Sequence, residues 1–547
     1  MKGHEDAVGG GVDVGFEMPV TEFVGVAERR ESVLRSVTGA ASMGEGQESL
    51  GRREIRMRSR SVGSHRLSIV EFMSIEPSHA LRLAGESFRG SGSVIEVRNP
   101  FDGSVIGTVP ACSSDDVDRA VQSARGAIGL PLHRRASILD RAAVVLAERR
   151  EEFARIVAAE AAKPLRTARV EVDRAIGTFQ FSAAEARKLA GDVVPLDALP
   201  AGEGKIGLTL RVPIGVVGAI APFNFPLNLV AHKVGPAIAA GCPVVLKPAS
   251  QTPFSSIRLV EMLIDECGAP ANLLHVVTGS GSTVGNAIVD HPEIALITFT
   301  GSPEVGWSIR ARAPQKRVGL ELGNNAPVVI EPSGDWRTAA VKIRTAGFSH
   351  AGQSCISTQR IYVHSDIADR FVDELVAQVS TLVVGDPLNE ETEVSSLIST
   401  GERDRVVSWI DEAVAAGATV ACGGSLDAAG VLVPTVLVDV TPEMRVCAEE
   451  VFGPVVGVAR YSDVDEALRL ANESRFGLQA AIFTSDIATA LKAVQTLDFG
   501  GVLVNEVPTW RADQQPYGGV RDSGNTREGP AYAVREMTEI KMVVLGS

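Results

Sequence analysis

Gly215-Val216-Val217-Gly218-Ala219-Ile220, a helical stretch from Val230 to Ala240, Pro243-Val244-Val245-Leu246-Lys247 and a second helical stretch from Phe254 to Cys267 follow one another directly in this chain. Short β-branched runs bounded by glycine and proline, alternating with helix-length segments, are the pattern of a parallel sheet with crossover helices. The alternation resumes after Asn325, with Val328-Val329-Ile330, a helix from Ala339 to Ala351, Arg360-Ile361-Tyr362-Val363 and a helix from Ile367 to Val379. The chain therefore reads as α/β with two such units, and their boundary falls near Glu321-Leu322-Gly323-Asn324-Asn325. A cleft between units is where a ligand site is expected. Upstream, Ala-rich amphipathic repeats from Ser114 to Leu189 predict helices with Ser113 or Ser114 as the first N-cap. Before them, Val94 to Ile106 reads as strand, turn, strand.

The 547 residues exceed one ordinary core. With 45% hydrophobic and 22% charged residues the composition is that of a globular enzyme. A net charge of −14 argues against nucleic acid and anionic membrane as partners and in favour of a small-molecule substrate. The six cysteines are scattered, with no C-x-x-C pair and no Cys/His cluster. This points to a reducing cytoplasm and to no structural metal. No apolar run reaches the roughly 18 residues of a spanning helix. Residues 1–72 are rich in Gly, Ser, Arg and Glu and read as a disordered extension with neither a secretory h-region nor a mitochondrial presequence. Met73 is a candidate initiator at the start of the globular part.

Three groups suited to acyl chemistry stand out. Cys355, in Gly352-Gln353-Ser354-Cys355-Ile356, is a thiol among small and polar residues. As a thiolate it attacks an electrophilic carbon. Glu321 can take a proton from water, and the Asn224 amide, in Pro222-Phe223-Asn224-Phe225-Pro226, can donate to a developing alkoxide. Lys247 ends a buried strand at the edge where open α/β sheets bind ligands. Gly301 and Gly306 lie between the strand Ala295 to Phe299 and a short helix, where small residues admit a close phosphate or ring. Gly279-Ser280-Gly281 lacks the spacing of a dinucleotide fingerprint.

Taken in order, Ala221-Pro222-Phe223-Asn224-Phe225-Pro226, Leu246-Lys247-Pro248-Ala249-Ser250, Phe299-Thr300-Gly301-Ser302, Glu321-Leu322-Gly323, Gly352-Gln353-Ser354-Cys355, Glu449-Glu450-Val451-Phe452-Gly453-Pro454-Val455 and Pro516-Tyr517-Gly518-Gly519-Val520 resemble the NAD(P)-dependent aldehyde dehydrogenase superfamily. The resemblance implies a Rossmann-type cofactor domain (73–193 and 214–323), an α/β catalytic domain (324–505), and a small β oligomerisation arm with the C-terminal tail (194–213 and 506–547). It also implies Cys355 as nucleophile, Glu321 as general base and Asn224 as oxyanion donor. Lys247 and Ser250 would lie by the adenine ribose, Gly301, Ser302 and Gly306 near the phosphates, Glu450 on the nicotinamide ribose and Phe452 near the nicotinamide, with Phe223 also on the cofactor. The reaction implied is irreversible oxidation of an aldehyde to its acid through a thioester on Cys355, with NADP or NAD as acceptor. Relatives that transfer the acyl group to coenzyme A lack the glutamate.

Two positions depart from the family pattern. The glycine pair after the base is Gly323-Asn324, and asparagine is expected to supply the positive φ that a glycine would. Ser250 stands where many NAD-preferring relatives carry a glutamate that would repel a 2′-phosphate, so NADP is expected to be accepted.

The neighbours of the nucleophile, Ser354, Ile356 and Ser357, are uncharged. Arg511, in Trp510-Arg511-Ala512-Asp513, either pairs with a distal anion on the substrate or is a surface arginine paired with Asp513. Arg174 is a second candidate. The C-terminal regions are similar to succinate-semialdehyde, lactaldehyde and phosphonoacetaldehyde type enzymes, which implies a short polar aldehyde. A catalytically idle scaffold on the same fold, and a nucleotide-binding module with a redox-sensitive Cys355, are the alternatives. Thr538 to Leu545 reads as an exposed apolar strand, covered by a neighbouring subunit together with Ile206 to Val212, in a homodimer or homotetramer.

Overall fold

The structure, a computed structural model, describes residues 81–546 apart from 84–85, 89–92 and 128. The extension 1–72 and Met73 lie outside the described residues. The described chain opens with two antiparallel ladders, β1 (Leu81–Leu83) with β2 (Glu86–Phe88) and β3 (Val94–Arg98) with β4 (Val105–Pro110). Four helices follow: α1 (Ser114–Arg125), α2 (Leu132–Glu148), α3 (Arg150–Ala161) and α4 (Leu165–Lys188). Of the two serines considered, Ser113 caps α1. Its Oγ accepts from the Asp116 N–H while the Asp116 carboxylate accepts from the Ser113 N–H, so two orphan donors are satisfied reciprocally.

After β5 (Val193–Val194) and β6 (Ile206–Pro213) comes the first parallel sheet. It is built from β7 (Val216–Ile220), α5 (Asn228–Ala240), β8 (Val244–Lys247), α6 (Phe254–Asp265), β9 (Leu274–Val276), α7 (Asn286–Asp290), β10 (Ile294–Thr300), α8 (Pro303–Arg312) and β11 (Arg317–Glu321). The spatial order is β11-β10-β7-β8-β9 with every pair parallel. All residues of β7 and β8 are buried, as strands covered on both faces must be. The winding reverses between β7 and β10, and that switch point opens a crevice at the carboxyl ends of the strands.

The second sheet comprises β12 (Ala326–Ile330), α9 (Trp336–Ala346), β13 (Thr358–His364), α10 (Ala368–Val379), α11 (Thr400–Ala415), β14 (Thr419–Cys422), β15 (Thr435–Val438), β16 (Val455–Tyr461), α12 (Val464–Asn472), β17 (Gln479–Phe483), α13 (Ile487–Thr496) and β18 (Gly501–Val504). Its order is β14-β15-β16-β13-β12-β17-β18, parallel except for β14. The helix expected over Ala339 to Ala351 ends instead at Ala346. His350, Ala351 and Gly352 have φ of 51°, 54° and 70°, and no right-handed helix passes through three consecutive left-handed residues.

Only Leu322 to Asn325 separates β11 from β12. The first sheet therefore offers its carboxyl ends to the site (the segments after β7, β8, β10 and β11). The second offers its amino ends (the segments before β12, β13, β16 and β17). A third sheet, β19-β6-β5, is completed by β19 (Thr538–Leu545), which pairs antiparallel with β6 along its whole length. The C-terminal strand and the 206–212 stretch thus cover each other within one chain. Ile206, Leu210, Ile540, Val544 and Leu545 remain exposed.

Candidate active site

The three left-handed residues before the thiol turn the chain sharply back on itself. At Gly352 a Cβ would overlap the Gly453 carbonyl oxygen, and φ is +70°. Gln353 pins the turn, its Oε1 accepting from the Ile398 N–H at 2.9 Å. Ser357 Oγ ties the far side to the end of α9 by donating to the Ala346 carbonyl at 3.1 Å. Cys355 emerges with Sγ 2.9 Å from the Tyr517 hydroxyl. Burial pushes the thiol up to about 12, with the Tyr517 hydrogen bond and the Arg511 charge opposing that rise and Glu450 and Glu321 adding to it.

Asn224 lies in the connection from β7 to α5 and is 4% exposed. Its Nδ2 donates to the Gln353 carbonyl at 3.0 Å, which joins the two sheets and leaves the second amide hydrogen for a ligand. Helix α5 has no side-chain cap of its own. Glu171, from α4, takes over that duty: its Oε1 accepts from the Leu227 and Asn228 N–H groups at 2.9 and 3.1 Å. The other oxygen pairs with the fully buried Lys163, whose Nζ lies 3.7 Å from the centre of the Phe225 ring. A buried ion pair thus holds the Asn224 loop.

Glu321 ends β11, 4% exposed, and neither of its carboxylate oxygens has a hydrogen-bond partner. Burial, and next the Glu528 carboxylate, raise it well above the usual carboxylate range, against Arg511 and Lys233. Burial also works against charge on Glu528, but Arg511, His232 and Lys233 outweigh it and hold that carboxyl low. Arg511 Nη2 donates to Glu528 at 3.0 Å, and the guanidinium lies 3.7 Å over the Tyr517 ring. Lys233 Nζ donates to Thr300 at 2.7 Å and Thr298 at 3.1 Å, with Glu528 4.0 Å away. The alternative of a surface Arg511 paired with Asp513 is thereby corrected. Arg511 is buried and bound to Glu528, while Asp513 pairs with Arg174 at 2.8 Å and with His232 at 3.2 Å. Arg174 is therefore a partnered cation rather than a free one.

The remaining candidates line the carboxyl edge of the first sheet and the facing loops. Lys247 is 7% exposed, its Nζ donates to the Pro248 carbonyl at 3.3 Å, and burial lowers its pKa. Ser250 Oγ donates to the Gly279 carbonyl at 3.0 Å. Ser302 caps α8 by accepting from the Val305 N–H at 3.4 Å. The Gly301 N–H donates to the Glu321 carbonyl at 3.1 Å, and Gly306 lies against Leu322. Phe223 and Phe452 meet edge to face with centroids 5.9 Å apart, Phe452 at φ +50°. Glu450, pushed up to about 8 by burial, accepts from the Asn324 N–H at 3.0 Å. A Cβ at 323 would strike that carboxylate. Asn324 does not take the positive φ expected of it. Its amide side chain instead bridges to the start of β17, donating to the Gln479 carbonyl at 3.3 Å and accepting from the Leu478 N–H at 3.4 Å.

This edge fits a dinucleotide. The Lys247 ammonium is buried with a single neighbouring carbonyl for company. Lys233, Glu528 and the Tyr517 hydroxyl had no assigned role in the sequence reading. The visible signals were the Pro516-Tyr517-Gly518-Gly519 motif and the pair His232-Lys233 inside α5, all of whose residues are buried.

The chain belongs to the aldehyde dehydrogenase family, whose sequence pattern it matches over residues 88–543. It is 44% identical over 453 residues to 3-sulfolactaldehyde dehydrogenase of Priestia aryabhattai, covering 82% of this chain and 94% of the relative. To lactaldehyde dehydrogenase of Methanococcus aeolicus it is 38% identical over 460 residues, covering 83% and 97%. Among solved structures, aldehyde dehydrogenase 21 from Physcomitrella patens in complex with the reaction product succinate superposes with a TM-score of 0.83 at 38% identity, covering 86% of this chain and 99% of that one. The resemblance drawn from the ordered motifs is established, and so is the α/β fold that it implied.

Proposed function

We propose that this protein oxidises a short, polar or anionic aldehyde to its carboxylic acid with NADP or NAD. The observation that carries the reading is the meeting of Cys355, Asn224 and Glu321 between the edges of two sheets, with both Glu321 oxygens buried and unpartnered. The Cys355 thiolate adds to the carbonyl carbon. The free amide hydrogen of Asn224 and the Cys355 N–H receive the oxyanion. Bound NADP or NAD would supply the hydride acceptor, and Lys247, Ser250, Gly301, Ser302, Gly306, Glu450, Phe223 and Phe452 would hold it. Glu321, once ionised, takes a proton from the water that cleaves the Cys355 thioester.

Arg511 supports an anionic group on the substrate. Its buried Nε has no partner, and its charge reaches both Cys355 and Glu321. The relatives named for 3-sulfolactaldehyde and lactaldehyde favour the same substrate class, with Arg511 as the specificity residue and Arg174 as the second candidate. No helix among the described residues is long and apolar enough to cross a membrane. The proposed assembly is a cytoplasmic homodimer or homotetramer. The test is reduced-cofactor absorbance with a panel of 3-sulfolactaldehyde, lactaldehyde, succinate semialdehyde and uncharged short aldehydes, each with NAD and NADP. Turnover of a short polar aldehyde, lost in Cys355→Ser with cofactor binding retained, is the expected result. Turnover that survives in Cys355→Ser would end the covalent mechanism.

A further inference from the structure

We propose that the Tyr517 hydroxyl acts on the reacting sulfur itself, donating its O–H to the Cys355 thiolate and so stabilising the form that attacks the aldehyde. The inference rests on Cys355 being the nucleophile. The hydroxyl lies 2.9 Å from Sγ, and the ring that carries it is fixed from three directions. The Tyr517 N–H donates to the Glu528 carbonyl at 3.1 Å, and the Glu528 N–H returns to the Tyr517 carbonyl at 2.6 Å. The Glu528 carboxylate accepts from Arg511 at 3.0 Å, and the Arg511 guanidinium lies 3.7 Å over the Tyr517 ring. Backbone bridge, ion pair and stacked cation form a closed loop, so the hydroxyl has little freedom to leave the sulfur.

The direction of the bond follows from the surroundings. Burial holds the phenol well above its ordinary value, with Cys355 and Glu321 adding to the rise and Arg511 opposing it. The phenol therefore keeps its proton and can serve a charged sulfur only as donor. A cation on the face of the ring draws electron density from it and sharpens that donor. The other groups facing the sulfur are Arg511, which favours its charge, and Glu450 and Glu321, which oppose it. Tyr517 and Arg511 are thus the two groups that favour the thiolate. Hydrogen bonds to the charged form of a group lower its pKa.

The test uses the full chain without substrate. The rate at which iodoacetamide alkylates Cys355 is followed against pH in the wild type and in Tyr517→Phe. The contribution of the other cysteines is subtracted with Cys355→Ser. In this reaction the sulfur loses its proton to water, forms the S–C bond and expels iodide, so the rate reports the thiolate. Tyr517→Phe should shift the midpoint upward by about one pH unit, seen as about tenfold slower alkylation near neutral pH, while cofactor binding shows that the protein is folded. Coincident profiles overturn the proposal because then the hydroxyl does not act on the sulfur, and faster alkylation overturns it because then the sulfur donates to the phenol instead. If the phenylalanine variant does not fold, Tyr517→3-fluorotyrosine decides alone. Its stronger donor should lower the midpoint, and an unchanged or raised midpoint overturns the proposal. Turnover retained in Cys355→Ser would end the nucleophile reading separately.

Discussion

Glu321 has no hydrogen-bond partner for either oxygen, yet it sits among Arg511, Lys233 and Glu528. A carboxyl kept from water and from donors rests neutral, and a neutral carboxyl cannot take a proton. Because its pKa is raised, the base becomes competent only as pH rises through that elevated value. Thioester hydrolysis should therefore speed up with pH above the usual carboxylate range, as Glu321 ionises. In Glu321→Gln that rise should vanish and an acyl adduct on Cys355 should accumulate. Intact-mass analysis after mixing with aldehyde and cofactor checks both; a fast steady state without adduct would remove Glu321 from the reaction. Ser250 carries a second prediction. A carboxylate there would face a 2′-phosphate with like charge, so Ser250→Glu should lower kcat/KM with NADP relative to NAD by at least about tenfold. Equal ratios in the two proteins would show that this position does not read the ribose. Cys355, Glu321 and Asn224 were legible because each sits inside an ordered motif. Lys233 and Glu528 were not, because their roles arise from contacts between residues far apart in sequence, which no local pattern records.

At the scale of elements, the alternation of strand and helix in both sheets could be read from hydrophobic runs and their punctuation. The end of α9 could not. His350 and Ala351 carry no turn signature, and their left-handed φ is imposed by the tertiary seat of the nucleophile loop. Asn324 is the converse case: a residue suited to positive φ is used for its side-chain amide, which spans Leu478 and Gln479. Gly352 is where the loop has least tolerance. Gly352→Ala adds a Cβ against the Gly453 carbonyl at a left-handed φ. The conformation alone costs about 1–2 kcal/mol, and the overlap adds to it. The expected outcome is a lowered unfolding midpoint and loss of activity beyond what the stability change explains, measured by thermal denaturation alongside turnover. A variant with unchanged activity would mean that the turn can relax without moving Cys355.

For the whole molecule, the carboxyl edge of one sheet and the amino edge of the other meet at the site, with Leu322 to Asn325 as the direct link between the two sheets. The exposed apolar side chains of the third sheet, among them Ile540, Met542 and Val544 on one face of β19, mark the face through which a further copy is proposed to dock. Removing residues 538–547 strips β6 of its partner strand. That truncation should lower both assembly and activity, read by sedimentation and turnover; a truncated protein that remains assembled and active would exclude the tail from the interface. The same pairing governs how the chain folds. Arg211 Nη1 reaches Thr538 Oγ1 across 327 residues. Closing a loop of that length costs about 5 kcal/mol of chain entropy on the logarithmic scaling, and contacts so distant in sequence form late. The two α/β sheets can condense while the tail is still loose. A ladder between β19 and β6 that closes last would act as a latch, and recovery of activity on refolding should then lag behind the far-UV signal of the two sheets; activity that returns together with that signal would exclude the latch.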